Sequence, residues 1–361
     1  MEPHDTSATP LHHHHGRGVS YNPRNRFESR DLVPGPDWDP SEDPAPATVV
    51  FEDDSKSLIT TQDSPDIPFS ASLNPYRGCE HGCVYCYARP YHEYLGFSAG
   101  LDFETKLLAK RNAAELLRRE LSSPSWTPKV LAVSGVTDCY QPIERRLRLT
   151  RACVEVLAEF RNPVSFITKN KLITRDIDLF RRLHEHHAVS VTITVTTLNA
   201  ELARDLEPRA SVPAARLAAI RELADAGIPV GVNVAPVIPG LTDSEIPTIL
   251  AAAAKAGATH AGYTIVRLPH GVADLFSAWL DRVVPNAKNK ILHRIEAMRG
   301  GKLNDTRFGS RMVGEGVFAE QIAQMFELGR RRAGIPAEHP PLSTAAFRSP
   351  HGKQLSIFEN F

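Results

Sequence analysis

Between residues 68 and 266 short apolar runs alternate with amphipathic stretches, and this alternation limits the fold more than any other feature of the 361-residue chain. Runs at 69–74, 130–134, 164–168, 189–196, 229–235 and 260–266 are dominated by Val, Ile, Ala and Thr, as strands buried on both faces require. Stretches at 104–121, 148–161, 176–187, 214–226 and 243–256 carry apolar residues at helical spacing. Gly227 and Gly257 are helix stops placed just before the fifth and sixth strands. Thr242-Asp243-Ser244-Glu245 supplies an N-cap and first-turn acids for the last helix of the series. Six consecutive βα units predict an α/β fold, a partial, open parallel (β/α)6 barrel with its site at the carboxyl ends of the strands. After 268 the pattern changes to helices without strands, at 272–283, 288–298 and 317–333.

The first strand leads into Arg77-Gly78-Cys79-Glu80-His81-Gly82-Cys83-Val84-Tyr85-Cys86-Tyr87, where three of the five cysteines fall within eight residues. The C-x3-C-x2-C spacing is one thiolate short of the four that normally cage a [4Fe–4S] cluster. It is too tight for ordinary structural zinc, which prefers cysteine pairs set far apart. A cluster held by Cys79, Cys83 and Cys86 alone leaves one iron open to an exogenous ligand, the mark of a catalytic metal site. A zinc knuckle lacking a clear fourth ligand is the alternative. His81 reads as a solvated loop residue rather than a ligand, and Cys153, inside a helical stretch, reads as core.

With an aromatic residue just before its third cysteine, the motif resembles that of the radical S-adenosylmethionine (SAM) superfamily. The resemblance implies that the open iron chelates the amino and carboxylate groups of SAM. An electron then cleaves the sulfonium, releasing methionine and a 5′-deoxyadenosyl radical, and the electron donor implied is of flavodoxin or ferredoxin type. It also implies SAM contacts at the strand ends. Asp138, in the turn that Ser134 opens, is the carboxylate to pair with the SAM ammonium, with a turn-forming role as the alternative; Ser134 is a further cofactor contact. Lys169, closing Phe166-Ile167-Thr168-Lys169, suits the SAM carboxylate. Thr194 and Thr196 either present hydroxyls to the barrel interior or satisfy backbone groups. Arg209, in Glu207-Pro208-Arg209, reaches cofactor or an anionic substrate. Pro236-Val237-Ile238-Pro239-Gly240-Leu241 suits an adenine slot, and Tyr85 and Tyr87 pack over the cofactor from either side of Cys86.

Asn74-Pro75-Tyr76-Arg77-Gly78-Cys79, Thr137-Asp138-Cys139-Tyr140-Gln141-Pro142, Leu206-Glu207-Pro208-Arg209 and Met298-Arg299-Gly300-Gly301 resemble the spore-photoproduct-lyase-like branch, within it a group of uncharacterised bacterial proteins. The branch implies radical chemistry on DNA, in which a cysteine shortly before the aspartate returns a hydrogen atom to the product. Gly135 stands where that cysteine is expected. Cys139, just past the aspartate, is the substitute hydrogen donor, or else an inert buried thiol.

Charge and composition frame the rest. Residues 1–67 hold 5 Lys and Arg against 13 Asp and Glu and lack a sustained apolar period, so they read as mostly disordered. Gly16-Arg17-Gly18 and 22–28 are the exception that docks on the folded body. His12 to His15 bind metal weakly or are incidental. Residues 285–361 carry 12 Lys and Arg against 7 Asp and Glu. Arg299, Lys302, Arg307, Arg311 and Arg330 to Arg332 are placed to hold phosphates. The chain closes on Gln354-Leu355-Ser356-Ile357-Phe358, which resembles the peptide by which bacterial repair proteins dock on the sliding clamp. Clustered thiols, no apolar run of membrane-spanning length and no signal peptide point to the cytoplasm. The expectation is a radical SAM enzyme acting on nucleic acid. A peptide, tRNA or small-molecule substrate is the second reading, and a non-catalytic iron–sulfur redox sensor or electron carrier the third.

Overall fold

The computed structural model describes residues 14–29, 46–338 and 341–349. In chain order its strands are β1 (Val49–Glu52), β2 (Ile59–Thr61), β3 (Ala71–Leu73), β4 (Tyr76–Arg77), β5 (Lys106–Ala109) and β6 (Leu131–Val133), then β7 (Val164–Thr168), β8 (Val189–Thr194), β9 (Val230–Val237) and β10 (His260–Ile265). Six of them, β3, β6, β7, β8, β9 and β10, pair in that order and are all parallel. Each coincides with one of the six predicted runs. β2 joins β3 antiparallel at one edge and β10 forms the other, so the sheet curls without closing.

Helices Leu149–Phe160, Ile177–His184, Pro213–Asp225 and Ile246–Ala256 return the chain between parallel strands. The main core includes Leu73, Val133, Phe166, Val191, Val232 and Ile249, all buried. Removing each such side chain from water stabilises the fold by roughly 1.5–3 kcal/mol. A second apolar cluster joins Val84 of the cysteine loop to Ile238, Val266, Phe276, Trp279 and Ile295. Through it the C-terminal helices Val272–Val283 and Lys288–Ala297 brace the mouth of the barrel.

Three expectations are corrected. The predicted helix at 104–121 is interrupted: Leu101–Thr105 and Ala113–Leu121 are helical, with β5 between them. Lys106-Leu107-Leu108-Ala109 alternates half-buried and buried residues and pairs with β1 on one side and β4 on the other. Those partners lie far away in sequence, so local periodicity conceals them. Secondly, the segment before 68, expected to be mostly disordered apart from the docking stretches at 16–18 and 22–28, also supplies two strands. Residues 14–29 form a strap over the cysteine loop, and 46–67 contribute β1 and β2. Polar contacts hold the strap along with the buried Val19: Asn22 Nδ2 donates to Asp102 (3.1 Å) and Asn25 Nδ2 to the Glu93 carbonyl (2.9 Å). Thirdly, Thr242 does not cap the helix Ile246–Ala256. Its hydroxyl oxygen accepts from the Ile238 amide (2.9 Å), and Asp243–Glu245 form a short 3-10 turn instead. Residues 354–358 lie outside the described residues.

Candidate active site

Loop 78–88 leaves β4 and is stitched to every neighbouring strand end. Gln141, in the turn after β6, donates from Nε2 to the Gly78 carbonyl (3.1 Å) and accepts from the Glu80 amide at Oε1 (2.8 Å). The Val84 amide donates to the Leu206 carbonyl (3.1 Å), and the Arg209 amide to the His81 carbonyl (3.2 Å). From behind, the fully buried Arg89 donates from Nε to the Cys83 carbonyl (3.0 Å) and ion-pairs with Glu104 (2.5 Å). The loop is therefore a pre-set cradle rather than a free excursion.

Cys79 and Cys83 are buried and Cys86 half-buried, all with free thiols. Burial, the largest cause at each, pushes the three thiols above their ordinary value, while Lys169 opposes it at Cys83 and Cys86. Among the described residues no three His, Cys, Asp or Glu side chains gather around a point that would hold a single ion. Three soft donors in a dry loop, with Lys169, Arg89 and Arg216 near enough to offset thiolate charge, fit an iron–sulfur cluster, whose irons each take one cysteine.

His81, expected in solvent, is buried. Asn170 Oδ1 accepts from the Leu172 amide (3.0 Å), which turns its Nδ2 toward His81 Nε2 (3.1 Å). The imidazole accepts there and presents Nδ1 to Asp138 Oδ2 at 3.3 Å. Asp138 also accepts from the Thr168 hydroxyl (2.7 Å) and the amides of Lys169 (2.8 Å) and Tyr140 (2.9 Å). Burial raises this carboxyl, but His81 and those donors together outweigh it and hold it at about 2. Asp138 thus ties the cysteine loop to β7 and forms its own turn. Ser134 has a left-handed φ of 85° at the end of β6, a strained conformation for a residue with a side chain, and its Oγ accepts from the Cys139 amide (2.9 Å).

Tyr85 and Thr196 meet at Glu207, which sequence reasoning passed over in favour of Arg209. Buried Glu207 accepts from the Tyr85 hydroxyl and the Thr196 hydroxyl (2.6 Å) and ion-pairs with buried Arg216. Burial pushes the Glu207 carboxyl up; Arg216, Lys169 and the two hydroxyls bring it to about 2. Arg216 also donates to the carbonyl of Thr194, which is buried within β8. Arg209 pairs with Glu80 at 3.0 Å, so it clamps the cysteine loop. Cys139 has no exposed surface and belongs to the main core, where burial raises its thiol well above the ordinary value. Cys153 is likewise core.

Two cations stand over the two loop tyrosines. Lys169 Nζ is 5.9 Å from the Tyr85 ring and the Arg267 guanidinium 4.8 Å from that of Tyr87, whose hydroxyl donates to the Gly135 carbonyl (2.8 Å). Neither cation forms an ion pair among the described residues. Four of the arginines expected to hold phosphates are, by contrast, engaged by groups of the protein itself, while Lys302, Arg331 and Arg332 are exposed. Arg299 is buried and donates to the Ile265 and Val266 carbonyls, Arg307 pairs with Asp305 and Glu315, Arg311 with Asp66, and Arg330 with Glu327. Arg299 braces the end of β10 because the strand's last carbonyls have no other donor at hand.

His92 supplies a pH test. Its Nε2 lies 2.9 Å from the Lys106 carbonyl, and burial lowers its value from 6.5 to about 4. The unfolded chain therefore takes up this proton first, and the stability held above pH 6.5 is lost as pH falls toward 4. Between pH 7 and pH 5 the loss is about 2 kcal/mol. Urea unfolding at the two pH values measures it, and His92→Gln removes most of the difference.

A family model for the radical SAM superfamily matches residues 73–253, half of the chain. An uncharacterised protein of Mycobacterium tuberculosis (strain H37Rv) is 40% identical over 221 residues, 61% of this chain and 65% of that one. An uncharacterised protein of Methanocaldococcus jannaschii is 29% identical over 173 residues, 48% of this chain and 62% of that one. The chain thus spans just under two thirds of the length of these relatives. Among solved structures, a mutant spore photoproduct lyase with bound AdoMet and dinucleoside spore photoproduct is 17% identical, with a TM-score of 0.55 and 79% of each chain covered. A second mutant of that lyase gives 0.56 at 16% identity over the same shares, so the fold is shared. No helix among the described residues is long and apolar enough to cross a membrane. Joined to the three-cysteine loop at the mouth of six parallel strands, the family match places this chain in the radical SAM superfamily.

Proposed function

We propose that this protein is a radical SAM enzyme acting on DNA. The observation that carries the reading is the pair of unpartnered cations, Lys169 and Arg267, over the tyrosines that bracket Cys86. Cys79, Cys83 and Cys86 would hold a [4Fe–4S] cluster, which together with bound SAM and an electron from a small reductant would supply reductive cleavage of SAM. Lys169, whose charge acts on Cys83, Cys86 and Glu207, binds the SAM carboxylate. Asp138 acts through His81 and the Lys169 amide, fixing where that lysine starts. Ser134, just after β6, and Thr194, the last residue of β8, flank the end of β7 that carries Lys169 and complete the SAM side of the mouth. Arg267 faces the substrate and suits a phosphodiester. Gly135 in place of the hydrogen-returning cysteine, with Cys139 buried, favours a radical reaction other than dimer reversal.

Anaerobic reconstitution with iron and sulfide, then dithionite and SAM, tests the reading. Wild type forms 5′-deoxyadenosine, and Lys169→Met raises the SAM concentration needed roughly tenfold or more, the cost of one charge-assisted contact. Cys86→Ala retains little iron and forms none. A full cluster that leaves SAM intact overturns the enzyme reading and leaves electron transfer.

A further inference from the structure

Six aromatic side chains are strongly exposed among the described residues, and pairwise proximities link five of them into one row that passes Tyr87 of the cysteine loop. Tyr87 (41% exposed), Tyr91 (55%) and Tyr94 (69%) fall four and three residues apart along the loop end and the helical segment Arg89–Leu95. Arg89–Leu95 is a 3-10 helix, in which residues three apart eclipse, so Tyr91 and Tyr94 share a face, and Tyr87, just before it, is close enough to Tyr91 to feel its charge. Phe27 of the strap (56%) extends the row, its ring centroid 4.8 Å from that of Tyr94. On the other side of Tyr87 stands Arg267, which also senses Tyr91 and Arg311, and the Arg311 guanidinium lies 4.7 Å from the Phe308 ring (61%). Exposed apolar groups that adjoin one another, unlike scattered ones, mark a contact surface.

The strip is held rather than loose. Asn25 anchors Phe27 by donating to the Glu93 and Phe97 carbonyls (2.9 Å each) and accepting from the Phe27 amide (2.8 Å). Two of its nearby acids are ion-paired, Glu93 with Arg26 at 2.7 Å and Asp66 with Arg311 at 2.6 Å, while Glu28 beside Phe27 is exposed. Held ring faces and an Arg267 with no ion pair among the described residues suit a polyanion that offers flat faces of its own. We infer that Phe27, Tyr94, Tyr91 and Tyr87 form a stacking track for single-stranded DNA, leading unpaired bases toward the cluster mouth. This inference rests on the DNA reading above. Duplex DNA hides its ring faces, so the track demands a melted or single-stranded segment.

The test is fluorescence anisotropy of the full chain with an oligo-dT of about 12 nucleotides, against a duplex and an oligo-rU of the same length. Wild type binds oligo-dT most tightly. Phe27→Ser/Tyr94→Ser weakens that binding roughly tenfold or more, as expected for lost base–aromatic stacking, with an unchanged melting temperature, while Tyr94→Trp retains it. Unchanged oligo-dT affinity in the double variant overturns the track and leaves the DNA reading standing. Failure of wild type to bind any DNA removes both, and tighter binding of duplex or of oligo-rU overturns single-stranded DNA as the occupant.

Discussion

Glu207→Ala lowers the unfolding free energy by about 3–5 kcal/mol, because it leaves the guanidinium of Arg216 buried without its counter-charge. The cost is larger than for a surface pair because neither side chain can turn outward to recover water. Tyr85 loses its carboxylate acceptor in the same step, whereas the Thr196 hydroxyl turns its one proton from Glu207 to the Ala235 carbonyl, 2.9 Å away. Denaturant unfolding of the apo protein, with oxygen excluded, reads the loss. The control is Glu207→Met/Arg216→Met. Replacing both charges with apolar groups removes the uncompensated cation, and the double variant recovers at least half of the stability. A double variant as unstable as the single one transfers the effect to Tyr85 and away from the ion pair. The pair also matters to the site, since Arg216 and Glu207 both act on Cys83. Iron bound per chain after reconstitution therefore falls in Glu207→Ala along with stability.

That pair illustrates where sequence stops informing. The six parallel strands are legible because each is a short Val- and Ile-rich run between amphipathic stretches, and the order of pairing follows from short right-handed connections. The cysteine loop is legible because its spacing is local. Glu207 and Arg216 carry no local signal: one ends a short helix, Ala200–Leu206, that the pattern does not announce, and the other sits inside Pro213–Asp225 looking like an ordinary helical arginine. Proximity to Pro208 draws the eye to Arg209, whose guanidinium serves Glu80 instead. Asp138 is found by resemblance, yet its four contacts show a brace, because a carboxylate at a turn beside His81 satisfies nearby donors. The basic C-terminal residues mislead for a different reason. Composition counts charges and cannot see that Arg299, Arg307, Arg311 and Arg330 are consumed by carbonyls and acids of their own fold.

The strap makes the second large prediction, because Gly18 packs backbone to backbone against Gly82 of the cysteine loop. The amides of Gly18 and Val19 donate to the two oxygens of Glu104 (3.0 and 3.3 Å), and the same carboxylate receives Arg89, which holds the Cys83 carbonyl. A Cβ on residue 18 would lie 1.7 Å from the Gly82 carbonyl oxygen and 2.8 Å from its carbon. Neither atom belongs to a side chain that can swing aside, so in Gly18→Ala the strap must lift. Lifting strips Glu104 of two donors at roughly 1–3 kcal/mol each and exposes Val19, which is otherwise buried in the second core. The strap then opens often enough for trypsin to cut after Arg17, Arg24 or Arg26 on the order of tenfold faster than in wild type. Arg89 retains Glu104, so the loop keeps its shape but loses its cover, and the reconstituted cluster bleaches faster in air. Unchanged proteolysis and unchanged bleaching in Gly18→Ala would show that the strap merely rests on the loop. Faster proteolysis with unchanged bleaching would show a docked strap that does not shield the cluster.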